Sequence, residues 1–221
     1  MTQLLAALRK DALLQWRDRV QLVAIFVFGA TALLLFSFAI GPSAEALRLY
    51  AAGFLWLGLL LSSTLTLAES FAKEMEERAF EGLLLLPADH RALFYSKALV
   101  NCAQLVVLGA ALVPMMVVLY DAGTTRLLGL LGIIVLGAAG LSAPGTLYSA
   151  MTSQARAKQT LLPLLLFPLV VPVLLAAVKA TSLLILGDPM GQLGSWAILL
   201  VCFDLIYWSL CGLLFGRVVE D

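Results

Sequence analysis

At 221 residues and zero formal net charge, the chain is 62% apolar and only 13% charged, with a mean hydropathy of +1.01. A soluble globular domain is roughly half apolar and about a quarter charged, so this balance argues against a water-soluble fold. At about 20 residues per span, six spans use roughly 120 residues and leave about 100 for connections and one terminal helix, too few for a folded domain outside the bilayer.

The first 19 residues, Met1–Arg19, differ from the rest of the chain. Leu5, Leu8, Ala12 and Trp16 recur at helical spacing while Lys10 and Arg17 face the other way, the pattern of a helix lying in the membrane interface. A cleaved leader is the alternative. Against it stand the length of the segment, its Asp11 and Asp18, and the ability of the next apolar run to span by itself.

Residues 20–221 then read as a six-helix transmembrane domain. Its apolar runs are about Val20–Ile40, Leu49–Ala68, Leu99–Tyr120, Leu127–Tyr148, Thr160–Val178 and Trp196–Phe215, each near the length a span requires. On one side of these runs fall Arg9, Lys10, Arg17, Arg19, Lys73, Arg78, Arg91, Lys97, Arg156, Lys158 and Arg217, eleven of the 14 Lys and Arg residues; the other side holds Arg48, Arg126 and Lys179. The positive-inside rule puts the eleven in the cytoplasm, with both termini. The fold class expected is therefore an all-α membrane protein of six transmembrane helices, with an N-terminal interfacial helix. Cys102, Cys202 and Cys211 all sit in apolar runs, where a thiol is a small hydrophobe and a disulfide framework is not expected.

The longest polar interruption is 69–97, ESFAKEMEERAFEGLLLLPADHRALFYSK. Lys73 with Glu77 and Glu74 with Arg78 pair opposite charges one helical turn apart, with Phe71, Met75 and Ala79 on a shared face. Ser70 is placed to cap this helix and Gly82 to end it. Leu83–Leu86 follow as an apolar patch before Pro87, and Asp89 can cap the third span. A charge run is often only a solvated face. An apolar patch beside an acidic cytoplasmic helix favours a docked partner.

Inside the spans, Asp204 stands out in Val201-Cys202-Phe203-Asp204-Leu205-Ile206. An intramembrane carboxylate costs about 2.5–3.5 kcal/mol on insertion scales, so it is expected to face a partner or water, either in a functional role or in an interhelical hydrogen bond, for example to Tyr148 or Ser149. Glu69, at the end of the second span, fits snorkelling or helix–loop packing. Pro163, Pro168 and Pro172 in the fifth span, and Pro144-Gly145 in the fourth, each subtract a backbone donor and read as bends or as prolines tolerated inside a bundle. His90 is the single histidine; as a polar helix-start residue it needs no haem-ligand role. No G-x-x-x-x-G-K-[ST] stretch is present, so ATP must be hydrolysed by a partner if at all. No catalytic residue, metal cluster or His-based triad is expected, nor a nucleic-acid partner.

Several of these segments together are similar to the CcmB family, the membrane subunit of the ABC transporter of cytochrome c maturation. The stretches are Glu77-Arg78-Ala79-Phe80-Glu81-Gly82-Leu83-Leu84-Leu85-Leu86-Pro87, Ala39-Ile40-Gly41-Pro42, Gly53-Phe54-Leu55-Trp56 with Leu60-Leu61-Ser62-Ser63, Leu141-Ser142-Ala143-Pro144-Gly145, and Leu162 to Pro172 with its spaced prolines. Arg78 departs from the pattern, in which glycine often precedes the small-hydrophobic-Glu triplet; the triplet itself is Ala79-Phe80-Glu81. The resemblance implies an ABC-2-like half-transporter that pairs with a second copy of itself and with a separate CcmA-type ATPase. It further implies work with CcmC- and CcmD-type membrane proteins toward release of the haem-loaded chaperone CcmE, at the bacterial inner membrane. No cofactor is then bound by this chain alone; ATP and haem are handled by the complex. ATPase coupling falls, on the same resemblance, on Phe71–Gly82 and the apolar residues after it: Phe71, Glu74, Met75, Glu77, Arg78, Glu81, Gly82 and Leu84. The competing expectations are an ABC-2-type permease for a lipid, polysaccharide or drug, and an ion-coupled secondary carrier using Asp204, which a single intramembrane acid and no visible inverted repeat disfavour.

Overall fold

The computed structural model describes residues 8–9, 19–69, 90–123, 126–152 and 158–220. Among the described residues the chain forms six long helices and no strand: α1 (Arg19–Ile40), α2 (Ala44–Glu69), α3 (His90–Tyr120), α4 (Leu127–Thr152), α5 (Lys158–Leu186) and α6 (Leu193–Glu220). The shortest, α1, has 22 residues, about 33 Å at 1.5 Å per residue, enough to cross a hydrocarbon core of about 30 Å. All six are apolar enough to span, their most apolar stretches averaging a hydropathy of 1.7 or more.

The six-helix expectation holds, and every helix runs past the apolar stretch that announced it. α2 begins at Ala44 rather than Leu49, α3 at His90 rather than Leu99, and α5 ends at Leu186 rather than Val178. Polar residues at a bilayer boundary do not end a helix, because water and headgroups solvate their side chains while the backbone bonds continue. Arg48, Arg91, Lys97 and Lys179, which sequence alone puts between spans, thus lie within helices. The prolines do not end helices either: α5 is helical through Pro163, Pro168 and Pro172, and α4 through Pro144. Pro114, not singled out by sequence, does the same in α3.

Packing around α2 and α4 organises the bundle. α4 packs on α2, α3, α5 and α6, and α2 on α1, α3, α4 and α5. Of their apolar stretches 61% (α2) and 56% (α4) is buried, against 17% for α1 and 22% for α6. α1 and α6 therefore stand at the margins, with Val23, Phe26, Val27 and Phe38 exposed on one and Ile198, Leu205, Ile206 and Leu213 on the other.

Glycines in α4 make its close contacts possible. A Cβ on Gly137 would clash with the ring of Trp56, and one on Gly145 would meet Leu67; in lipid, where apolar burial does not drive helices together, such close approach supplies the packing. Gly187, with φ of +100°, donates its N–H to Leu183 at 3.1 Å and closes α5, using a left-handed conformation that a side chain would disfavour.

Candidate functional site

Two places follow from the sequence as sites: the segment after α2 and the interior around Asp204. The coupling residues Phe71, Glu74, Met75, Glu77, Arg78, Glu81, Gly82 and Leu84 lie outside the described residues, as does all of 1–18 except residues 8–9. The helices flanking the segment are described. α2 ends at Glu69 and α3 starts at His90, directly after the expected cap Asp89.

The end of α2 is fastened to α4. Ser149 donates its hydroxyl to the carbonyl of Leu67, and the Leu67 side chain fills the space over Gly145. Leu67 is fully buried and Ser149 is 2% exposed. Ser149 is therefore not the partner of Asp204 that sequence suggested.

Ser142, Thr146 and Ser149 recur every three or four residues along α4 and form one buried polar line. Asn101 of α3 donates its amide to Thr146 Oγ1 at 2.9 Å, and Thr146 in turn donates to the Ser142 carbonyl at 2.7 Å. Ser142 Oγ donates to the Ala139 carbonyl at 3.1 Å, which also accepts from the indole Nε1 of Trp208 on α6 at 3.1 Å. The Cys102 thiol of α3 lies beside the Ser142 hydroxyl. Asn101, Ser142 and Thr146 are almost wholly buried, so each hydrogen bond replaces one that lipid could not provide.

Asp204 abuts this line from α6. Its Oδ1 lies 3.0 Å from where a Cβ of Gly140 would be, and Val173 of α5 crowds the same spot at 2.8 Å. That oxygen is buried and finds no hydrogen-bond partner among the described residues. The structure thus brings Asp204 to Gly140 of α4 and Val173 of α5, while Pro144 and Gly145 follow Gly140 along α4 and Gly145 meets Leu67 of α2; Pro163, Pro168 and Pro172 belong to α5. The polar line was missed from sequence. Its signal, Ser and Thr at helical spacing inside an apolar run, is present but weak, because hydroxyls are common in membrane helices.

A second interhelical tie spans α2 and α5, where buried Trp56 donates its indole N–H to Thr181 Oγ1 at 2.9 Å. At the other end of the bundle Arg48 pairs with Asp121, its Nε donating to the Asp121 carbonyl at 2.9 Å. Both side chains are largely exposed, so the pair contributes little. Beside it opens a groove of about 390 Å³ lined by Ala44, Glu45, Arg48, Leu49, Asp121 and Leu186. An apolar groove of about 420 Å³ between α1 and α3 holds Gln104, whose Oε1 is the other buried oxygen without a partner among the described residues. No group of three or more His, Cys, Asp or Glu among the described residues could hold a metal ion, and the three cysteines are free.

A family model described as CcmB protein matches residues 2–217. The chain belongs to the CcmB family. The match includes the segment between α2 and α3 and every helix of the bundle. Among CcmB relatives, the chain is 36% identical over 141 residues to "Heme exporter protein B" of Rhodobacter capsulatus, covering 62% of this chain and 63% of that protein. It is 30% identical over 185 residues to the protein of the same description in Pseudomonas aeruginosa, covering 82% of each. With the one in Paracoccus denitrificans it shares 31% identity over 157 residues, 71% of this chain and 72% of that protein. As a CcmB-family chain with six spanning helices, it is a multi-pass membrane protein of a transport family.

Proposed function

We propose that this chain is the membrane subunit of an ABC transporter complex for cytochrome c biogenesis, converting ATP hydrolysis by a separate subunit into haem delivery or the release of a haem-loaded chaperone. The observation that carries this is the family match over residues 2–217, supported by relatives described as heme exporters and by six helices of spanning length. The partners are a second copy of the chain, a CcmA-type ATPase, CcmC- and CcmD-type proteins and the chaperone CcmE. With eleven of 14 Lys and Arg residues on one side, both termini and the segment 70–89 face the cytoplasm of a bacterial inner membrane.

The ATPase then meets the chain at Phe71–Leu86. Glu81 presents charge and Leu84 apolar surface, and neither lies in a span, so changes there leave insertion intact. Contacts of this kind each contribute about 1–3 kcal/mol, so losing one weakens association about tenfold or more. The experiment is a pull-down of the ATPase from membranes carrying Glu81→Lys or Leu84→Asp, with chain levels as control. Normal levels, reduced ATPase recovery and lost cytochrome c maturation are expected, while Arg78→Gly, which moves toward the family pattern, retains all three. Full recovery and activity in both disruptive variants would remove the segment from coupling.

A further inference from the structure

We propose that Asp204 is a proton-binding site at mid-depth in the bundle: its carboxyl is held as the neutral acid where α3, α4, α5 and α6 meet, and its proton ties α6 to α4.

Position is the first ground. Asp204 and Gly140 both fall near the middle of their helices, about half a span from either end. Gly140 has no side chain, and Asp204 Oδ1 occupies the approach that a Cβ would block, 3.0 Å from where it would sit. The carboxyl is thus inserted into the helix interface rather than pointed along it.

The second ground is what faces it. From α3 the facing titratable group is Cys102, whose thiol lies near Asp204 and beside Ser142 of α4. α4 brings Gly140, and α5 brings Val173. On α6 itself Trp208 lies one turn on, and its indole is committed to Ala139; Tyr207, on the same turn, has Tyr148 of α4 and Cys211 as its own electrostatic neighbours. None of these is a cation, and no donor reaches Oδ1 among the described residues. A carboxylate so placed has no cation among these facing groups and one buried oxygen, Oδ1, with no donor among the described residues, and such a group takes up a proton instead.

The third ground is the need that protonation creates. A neutral carboxyl has one O–H to donate, and in lipid that donor must find an acceptor within the protein. Pro144 has no N–H, so the Gly140 carbonyl, four residues before it in α4, lacks its helical donor. The Ala139 carbonyl beside it already accepts from Ser142 and Trp208. The residue that Asp204 approaches is therefore the one whose carbonyl lacks its helical donor, and Oδ1 as the protonated oxygen accounts for its having no donor. Pro144 frees the acceptor, Gly140 admits the acid, and α6 supplies it. This holds whatever the complex transports.

Infrared difference spectroscopy tests the site on the full chain in its native complex in membranes, labelled with carboxyl-¹³C aspartate. At neutral pH wild type minus Asp204→Asn should show the C=O stretch of a protonated acid, shifted on exchange into D₂O. The neutral, hydrogen-bonding amide of Asp204→Asn should accumulate to wild-type levels. If it does not, Asp204→Glu serves as the comparison and should move the acid band without removing it. As a second measurement, a membrane-soluble carbodiimide, which adds to protonated carboxyls, should modify the peptide bearing Asp204, and a charged water-soluble one should not. A difference spectrum at neutral pH that contains only carboxylate bands would overturn the proposal, whatever the labelling gives.

Discussion

Placing a methyl group on Gly137 is the most direct test of how α4 is packed. Trp56 is among the largest fully buried side chains, at 1% exposure. A Cβ on Gly137 would overlap ring atoms Cζ2, Cζ3 and Cη2 of its indole. The ring is rigid and closed in, so it can give way only by moving as a whole, and that breaks its 2.9 Å bond to Thr181. Overpacking a tight core costs about 1–3 kcal/mol, and a lost interhelical hydrogen bond in a membrane protein averages about 0.6 kcal/mol. Gly137→Ala should therefore destabilise by about 2–3 kcal/mol, roughly thirtyfold or more in the folded-to-unfolded ratio. Thr181→Val removes only the bond and should cost about 0.6 kcal/mol. The assay is reversible unfolding in mixed detergent–SDS micelles followed by circular dichroism. In a Trp56→Leu background, where the ring is gone, Gly137→Ala should cost under about 1 kcal/mol, a coupling of the size expected for residues in contact. Equal penalties in the two backgrounds would show that Trp56 is not what Gly137 makes room for.

Two further outcomes are expected outside the membrane. Asp188 accepts the backbone N–H of Leu193 on Oδ2 at 2.9 Å and that of Gln192 on Oδ1 at 2.8 Å, and these bonds, Leu193 first, hold its carboxyl below the usual range. A lowered value means that its contribution to the α6 start is complete at neutral pH and lost only as pH falls through that value. Protection of the Gln192 and Leu193 amides, their exchange measured against the intrinsic rate at each pH, should accordingly be high at neutral pH and fall in acid, and Asp188→Ala should remove that pH dependence; an unchanged protection profile would show that the cap contributes nothing. For topology, reporters fused at Ser43 and at Asp221 should read opposite sides of the membrane, and matching readings would refute six crossings.

The helices were legible because a membrane span is written in one dimension, as a run of about 20 apolar residues. Their ends were not, since the code for stopping at a bilayer surface is weak. Arg48 interrupts an apolar run yet sits in the second turn of α2, answered by Asp121 from the α3–α4 connection. Lys97 is 5% exposed within α3, where sequence alone placed it before the span. Nor could the contacts be read. A helix surrounded by lipid and other helices has no polar face to mark its inner side, so nothing in the sequence of α2 says that Trp56 meets Gly137. Asp204 shows both sides of this limit. Its cost in lipid made it conspicuous, but choosing a partner by chemistry pointed to Tyr148 or Ser149, and the Ser149 hydroxyl is spent on Leu67. The neighbour that matters is Gly140, which has no side chain to notice.

The same contacts decide how motion entering the segment between α2 and α3 would travel. A pull on the end of a helix transmits nothing unless that helix is tied to something else. The last turns of α2 are tied twice, by Leu67 seated over Gly145 and by its carbonyl held by Ser149. Both ties end on α4, which also packs against α3, α5 and α6. From Gly145 the line continues one residue back to Pro144, where the backbone ladder lacks a bond, and then to Ala139 and Gly140, where α6 attaches through Trp208 and Asp204. A helix weakened at Pro144 between two anchored stretches can yield there. Displacement of α2 would then reach α6 through α4, while α1, packed on α2 and α3 with its outer face apolar and exposed, lies off that line.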